Sequence, residues 1–294
     1  MASGKPHRDI LELGREQLTP VERFQIRFIR KSFEPGLLDR TLRTMQRAVG
    51  ANWMELGVKN LREVRGEERL PPLDGEQSVI VVANHRSFFD LFVVSAYLVK
   101  RGLRHRLIFP VRSKFFYDTT LGFFVNGAMS FFAMYPPVFR ERERAVLNLA
   151  TLDETIRIVR RGGTFLGLHP EGQRNKTDDP YTLLPAQSGV GRIIHESKVP
   201  VIPVFVNGLT NDLVRQVRGN FDGKGDPVTV VFGAPVDFGG LLDQPSSPRL
   251  HKKISEASLD AIRALGEEER ELRASLKAAP RSRSRSRRGD GGAS

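Results

Sequence analysis

The chain reads as an α/β protein, a mostly parallel central sheet flanked by helices and preceded by an N-terminal helical hairpin. Three observations carry that reading. Five short β-rich runs recur at Ser78–Ala83, Leu107–Val111, Thr164–Leu168, Val201–Val206 and Val228–Phe232. Helical stretches at Phe88–Lys100, Ala145–Arg161 and Val190–Ser197 separate several of them. Ahead of the alternation, Leu38, Leu42, Met45, Val49, Trp53 and Leu56 recur every three or four residues, the period of a helix face.

Taken in order, residues 1–20 look irregular. Val21–Phe33 mixes Arg and Lys with Val21, Phe24, Phe28 and Ile29 at helical spacing. Pro35-Gly36 breaks that helix, and a long second helix follows toward Leu70. The stretch "LPPLDG" closes an N-terminal helical region, residues 1–70. Residues 71–245 form the α/β domain, where Val146, Leu149, Leu152, Ile156 and Val159 give the Ala145–Arg161 helix its apolar face. Residues 246–280 read as one or two polar helices, interrupted near Gly266. The Arg-Ser tail, residues 281–294, has too little apolar surface to bury and is expected to be disordered.

The composition narrows the partners. With 294 residues, 39% of them apolar, the chain can bury a substantial core. Its net charge is +12; the tail holds five Arg and one Asp, a charge of +4 that leaves +8 on the rest. A basic body calls for an anionic partner: nucleic acid, a membrane surface or a phosphorylated substrate. The absence of cysteine excludes disulfides, thiolate nucleophiles and cysteine-bound zinc. The first twenty residues contain no apolar signal core, so a cytoplasmic location is expected. Thr119–Phe139 carries no charge over 21 residues, long enough to span a bilayer. Asn126, Ser130 and Pro136-Pro137 would end a helix after about 16 residues, so a partly buried or membrane-surface segment is expected. The basic Val21–Phe33 helix and the Phe-rich 115–132 stretch are the candidate contacts with an anionic bilayer; ordinary core is the other reading of those phenylalanines.

Chemistry in parallel sheets collects beyond the carboxyl ends of the strands, and His85, His169 and Glu171 each follow a strand directly. In "VVANHRSFFD", Ser87-Phe88-Phe89-Asp90 fits a capping box, with Asp90 serving only the helix start. Together with His85, however, Asp90 forms a dyad. A carboxylate on one imidazole nitrogen fixes the tautomer and leaves the other nitrogen free to take a proton. No protein nucleophile is needed if the substrate supplies the hydroxyl. In "HPEGQR", an arginine on a glycine-containing turn suits a phosphate.

Asn84-His85-x4-Asp90, Pro170-Glu171-Gly172-x-Arg174 and "VPVIPV" at Val199–Val204, in that order and spacing, resemble the glycerolipid acyltransferase family and its 1-acyl-glycerol-3-phosphate acyltransferase branch. The resemblance covers about residues 75–240, and the Leu38–Leu70 helix is also similar. It implies a glycerol-3-phosphate acyltransferase-like fold and transfer of a fatty acyl group from an acyl-CoA or acyl-carrier-protein thioester to a glycerophosphate hydroxyl. Lysophosphatidic acid is the first acceptor considered; glycerol 3-phosphate, another lysophospholipid and an amino-lipid stay open. The implied roles are His85 as general base, Asp90 as its orienting partner, and Glu171, Gly172 and Arg174 as acceptor-binding residues. Arg140, in preference to Arg142, stands at the family's intermediate basic position. Pro200 and Pro203 match the block tied to acyl-donor binding or packing. Backbone amides near Ser87 are the candidate oxyanion donors. The implied enzyme needs no cofactor beyond its thioester co-substrate and no metal, and works peripherally on the cytoplasmic face of an anionic membrane.

The chain departs from the family pattern at four places. Gln173 replaces a common Thr, His169 a hydrophobic residue and Gln187 a Lys, and Pro136-Pro137 interrupts a strand. Two readings of other classes remain. One is nucleic-acid binding through the Arg-Ser tail, although nothing in the body matches a nucleic-acid-reading module. The other is a metal-dependent hydrolase using His85, Asp90, His169 and Glu171, although no metal-ligand spacing supports it.

Overall fold

The computed structural model describes residues 8–278; the Arg-Ser tail lies outside the described residues. Among the described residues eight strands form: β1 (Arg62–Arg65), β2 (Val79–Ala83), β3 (Arg106–Ile108), β4 (Val111–Arg112), β5 (Pro137–Val138), β6 (Thr164–Leu168), β7 (Val201–Asn207) and β8 (Val228–Phe232). The principal helices are α1 (Pro20–Lys31), α2 (Leu37–Met45), α3 (Ala51–Val58), α4 (Asp90–Lys100) and α5 (Thr120–Ser130). They are followed by α6 (Leu147–Arg160), α7 (Ser188–Ser197), α8 (Leu213–Asp222) and α9 (Pro248–Ala278).

Six strands make one sheet in the order β1-β8-β7-β2-β6-β3, parallel throughout except at the β7–β8 pair. Alternate side chains of each strand enter different cores. Ile80, Val82, Leu166 and Phe205 pack with residues of α6, α7 and α9, such as Ile156, Ile194 and Ile262. Val79, Val81, Phe165 and Val204 pack on the other face with Met54 and Val58 of α3 and Val94 and Leu98 of α4. A strand buried on both faces must be apolar at every position, which is why β2, β6 and β8 carry so little polar alternation. This sandwich sets β2 at the centre of the sheet, with the turn after it opening between β6 and β7.

Several boundaries differ from the sequence expectation, each for a physical reason. The run Leu107–Val111 is split by Pro110, which has no N–H to give a ladder. Arg106–Ile108 joins the main sheet, while Val111–Arg112 pairs with Pro137–Val138 as a separate ribbon. The Pro136-Pro137 pair therefore sits at the start of a strand. The long second helix is not continuous. A π turn at Gln46–Gly50 interrupts it and it ends at Val58, after which Arg62–Arg65 forms an edge strand on β8. The π turn directs the buried Gln46 side chain to the open edge of β3, where it accepts from Leu107 N and donates to Phe131 O.

Gly266 does not break the C-terminal helix, which runs unbroken from Pro248 to Ala278. A Cβ at Gly266 would meet the Phe205 ring at 3.0 Å, so this glycine lets α9 lie close against β7. Residues 8–19 are also less irregular than expected: Ile10 and Leu18 enter the core, and Thr19 and Glu22 form a capping box on α1. Among the described residues, no helix is long and apolar enough to cross a membrane.

Candidate active site

Asn84 leaves β2 fully buried and acts as an extra rung of the sheet. Its side chain donates to Val206 O and accepts from Val206 N, each at 2.8 Å. This ties the turn to β7 and forces the chain away from the sheet at His85. The His85 backbone is then fixed at both polar atoms. Its N–H donates to Glu171 Oε1 at 2.8 Å, and its carbonyl accepts from Asn175 N at 2.7 Å. The "EGQRN" loop after β6 thus clamps the loop after β2.

Asp90, at the start of α4, is fully buried, and its Oδ2 accepts from the amides of Arg86 and Ser87 at 2.8 Å each. The same oxygen lies 3.3 Å from His85 Nδ1. One carboxylate oxygen of Asp90 thus meets both the amides of the turn and the imidazole; the expected capping box is only half formed, since Ser87 Oγ accepts from Phe89 N and not from the amide of Asp90. Holding two amides prevents the side chain from swinging, so the contact with Nδ1 is preorganised. The arrangement leaves Nε2 of His85, whose side chain is 19% exposed, as the free proton acceptor.

Burial sets the protonation states. Desolvation, followed by the fields of Arg174 and Arg140, pushes the His85 pKa down to about 4. Desolvation raises Asp90 to about 6, opposed by its backbone hydrogen bonds. At neutral pH the imidazole is uncharged and the carboxylate ionised, the combination a general base requires.

Arg140 donates to the carbonyl of Gly172 at 2.9 Å, and Arg112 and Arg174 are near enough to lower its own pKa after desolvation. Gly172 has a φ of +68°, the left-handed conformation that lets its carbonyl meet Arg140, and a Cβ there would strike Gln187. Arg174 is exposed and donates to Asn211 Oδ1 at 2.9 Å. Arg140 and Arg174 thus act on the imidazole, with Arg112 beside Arg140. Arg142, exposed in a short 3₁₀ turn, contributes to neither cluster. Glu171 is buried, with Oε1 on His85 N and Oε2 on Leu184 N, so both oxygens are occupied by the protein's own backbone.

Pro200 and Pro203 lie in and before β7, away from these groups. The Pro200 carbonyl accepts from Ile80 N, and Pro203 pairs with Val82. The missing N–H of Pro203 falls where β8 has just ended at Phe232, so a proline is tolerated inside the sheet.

The amides of residues 86 to 89 are all engaged: two by Asp90, Phe88 N by Asn211 and Phe89 N by Ser87 Oγ. They are not free to serve as oxyanion donors, contrary to the sequence expectation. Asn84, Asn175 and Asn211 went unassigned in the sequence, because their roles depend on partners far along the chain. Among the described residues, His85, Asp90 and His169 are the group whose metal-ligating atoms approach within 4.8 Å. The two imidazoles are stacked, however, with planes 8° apart. His169 Nδ1 donates to Ala83 O at 3.0 Å.

A family profile described as Acyltransferase matches residues 61–207, half the chain. The chain belongs to the acyltransferase family. It is 27% identical over 210 residues to the 1-acyl-sn-glycerol-3-phosphate acyltransferase of Saccharomyces cerevisiae, a match covering 69% of this chain. The chain spans 60% of the length of that curated relative. The crystal structure of the 1-acyl-sn-glycerophosphate (LPA) acyltransferase PlsC of Thermotoga maritima is similar over 87% of this chain and 90% of that one, with 23% identity and a TM-score of 0.49. Within this acyltransferase, the matched span opens just before β1 and closes at the last residue of β7. It contains both loops that build the dyad and the arginine cluster.

Proposed function

We propose that this chain transfers a fatty acyl group from a thioester donor to the free hydroxyl of a lysophosphatidic-acid-like glycerophosphate. The observation that carries this reading is the His85–Asp90 pair: a neutral, half-buried imidazole, oriented through Nδ1 by a carboxylate that two amides hold in place. His85 Nε2 takes the proton of the acceptor hydroxyl as its oxygen attacks the thioester carbonyl. The tetrahedral intermediate then collapses, breaking the carbon–sulfur bond, and the departing thiolate takes the proton from the imidazolium. Base catalysis of this kind contributes about 10²–10⁴-fold. Binding two substrates in register supplies much of the rest.

Arg174, with Arg140 and Arg112 beside it, supports a phosphate on the acceptor. A guanidinium fork binds a phosphate in two parallel hydrogen bonds and keeps its charge at any working pH. Burial first, and then the fields of Arg174 and Arg140, keep His85 neutral.

The working location we infer is a membrane surface on its cytoplasmic side. Phe24, Arg27 and Lys31 share the exposed face of α1. Across from it, α5 is turned inside out: Gly122, Asn126 and Ser130 are buried, while Leu121 is 62% and Phe124 69% exposed. Phe24 meets Phe123 with ring centroids 5.8 Å apart, so the two helices present one continuous apolar face fringed by cations. Such a face suits an anionic bilayer, the surface on which lysolipid acceptors reside.

The decisive test supplies palmitoyl-CoA or palmitoyl-carrier protein with a panel of lysolipids and glycerol 3-phosphate, and identifies products by mass. A diacylated phosphate product from lysophosphatidic acid is expected. No product with any acceptor would overturn the reading.

A further inference from the structure

Resting on that reading, we infer that Glu269, on α9 and outside the span the family profile matches, is a positioning residue for acyl transfer, holding in place the two loops that flank the dyad. Glu269 is fully buried, on the helix face that otherwise carries Ile262, Leu265 and Leu272 into the core. A carboxylate in such a place is costly unless its oxygens are paired, and an apolar residue would usually serve stability as well. Its presence calls for an explanation in what it holds.

Four donors converge on it. Arg273 Nε lies at 2.7 Å and Asn207 Nδ2 at 3.2 and 3.3 Å from its two oxygens, and the hydroxyls of Thr229 and Tyr181 complete the set. Desolvation would raise the Glu269 pKa, but the hydrogen bonds from Thr229, Tyr181 and Asn207 and the charge of Arg273 outweigh it and hold it below the ordinary value. Desolvation, and then Glu269 itself, pushes the Tyr181 pKa up to about 12, so the hydroxyl keeps its proton and stays a donor. Arg273 and Thr229 tie the carboxylate to its own helix and to β8. The other two donors lead into the active site.

Tyr181 belongs to the loop between β6 and α7. Its ring lies parallel to that of Phe205, with centroids 5.9 Å apart, and the Arg270 guanidinium stands 4.2 Å from its centroid. On one side of it in sequence, Asn175 N donates to His85 O; on the other, Leu184 N donates to Glu171 Oε2, each at 2.7 Å. Asn175 Nδ2 closes the loop on the carbonyl of Thr182. Tyr181 is thus fixed between the two groups that clamp the general base.

Asn207 ends β7, and its Oδ1 accepts from Gly208 N at 2.8 Å as the chain turns away. Four residues on, Asn211 Oδ1 accepts from Phe88 N and from Arg174 Nη1, each at 2.9 Å. One carboxylate therefore reaches the imidazole along one arm and the acceptor arginine along the other. Displacing a reacting group by about 1 Å can cost about 10²-fold in rate, so the setting of these two loops has kinetic consequences.

The test takes single variants of the full chain with palmitoyl-CoA and lysophosphatidic acid. Tyr181→Phe removes one hydroxyl and keeps the ring; kcat should fall about tenfold while the lysolipid KM holds. Asn207→Ala releases the other arm, and the lysolipid KM should rise about tenfold. Glu269→Gln sets an NH₂ group among four donors and should show both losses, and adding Tyr181→Phe to it should lower kcat no further. Thr229→Val removes another partner of the same carboxylate but starts neither loop, so it should cost stability and leave both constants as in the unaltered protein. Hydrogen exchange reads the loop without activity. Relative to the amides of β2, those of Asn175 and Leu184 should exchange about tenfold faster in Tyr181→Phe and at the unaltered rate in Thr229→Val. Equal kinetic losses in Tyr181→Phe and Thr229→Val, a lysolipid KM unmoved in Asn207→Ala, or equal exchange in all variants would overturn the assignment. If the unaltered protein transfers nothing to any acceptor, the proposed function fails, and the exchange rates alone decide whether Glu269 holds the loop.

Discussion

The imidazole of His169 lies flat on that of His85, with ring centroids 3.7 Å apart and planes 8° from parallel. His169 is itself anchored through Nδ1 to the carbonyl of Ala83, the last residue of β2. One ring is thus fixed to the sheet and supports the other from below, while Asp90 holds its edge. Desolvation and the neighbouring His85 push the His169 pKa down to about 3, so the support stays neutral through the working range.

From this stacking we expect His169→Ala to lower kcat about tenfold by freeing the His85 rotamer, with both KM values little changed. His169→Phe keeps a flat partner and should recover most of the rate. Steady-state kinetics on both variants checks this. Equal losses in the two would mean that hydrogen bonding, rather than stacking, is what His169 supplies.

The double role of Asp90 separates two variants of the dyad. His85→Ala should lose about 10²–10⁴ in kcat and leave stability nearly unchanged, because only a partly exposed ring is removed. Asp90→Ala should lose a similar rate and also about 0.5–2 kcal/mol of stability, since the amides of Arg86 and Ser87 in the turn before α4 lose their acceptor. Denaturant unfolding beside an activity assay would show the difference. A fully stable Asp90→Ala protein would contradict the capping geometry.

The pH profile carries the sign of the arginine field. His85 works only when unprotonated, and its pKa in the free protein is held down to about 4. The acid limb of kcat/KM should therefore show two ionisations, that of Asp90 near 6 and that of His85 well below the pH near 6.5 of an ordinary histidine. Removing Arg174 makes the imidazolium less costly and raises that pKa, so the limb of Arg174→Ala should move to higher pH. A bound phosphate would cancel the same field, placing the limb of kcat above that of kcat/KM. A limb unmoved in Arg174→Ala would sink the electrostatic account.

The outward face of α5 gives a prediction about surfaces. Replacing both Leu121 and Phe124 by Glu should leave the fold intact, because neither side chain is in the core. Each apolar side chain withdrawn from lipid contact forfeits about 1.5–3 kcal/mol. Co-flotation with anionic liposomes should then be lost. Unchanged flotation would show that α5 does not meet the membrane.

What the sequence showed follows distance along the chain. His85 and Asp90 are five residues apart at a strand-to-helix turn, so local geometry alone brings them together. The central strands were readable because burial on both faces writes an unbroken apolar run. Arg62–Arg65 leaves no such signature, because Arg-Glu-Val-Arg on a sheet edge holds a single apolar residue among three charged ones. The interruption at Gln46 was missed because its cause is an open strand edge sixty-one residues away. The clamp on His85 reaches 86 residues to Glu171, and the rung from Asn84 reaches 122 to Val206. No local pattern encodes such pairings. The motif around Glu171 marks a loop that the structure brings against His85, without revealing that both oxygens of Glu171 are taken by the protein's own backbone.

Glu171 offers the sharpest separation of those roles. Family resemblance assigns the residue to the acceptor, yet Oε1 and Oε2 each accept from a backbone N–H, of His85 and Leu184, at 2.8 and 2.7 Å. In Glu171→Gln one oxygen becomes an NH₂ group and is set donor against donor. One buried amide then loses its acceptor, at about 1–3 kcal/mol of stability. The loop carrying His85 is released at the same time, so kcat should fall while the KM for the lysolipid holds. A side chain that gripped the acceptor would give the opposite result, a raised KM in a fully stable protein. Thermal unfolding and acceptor titration on the one variant therefore decide whether Glu171 binds the substrate or builds the site.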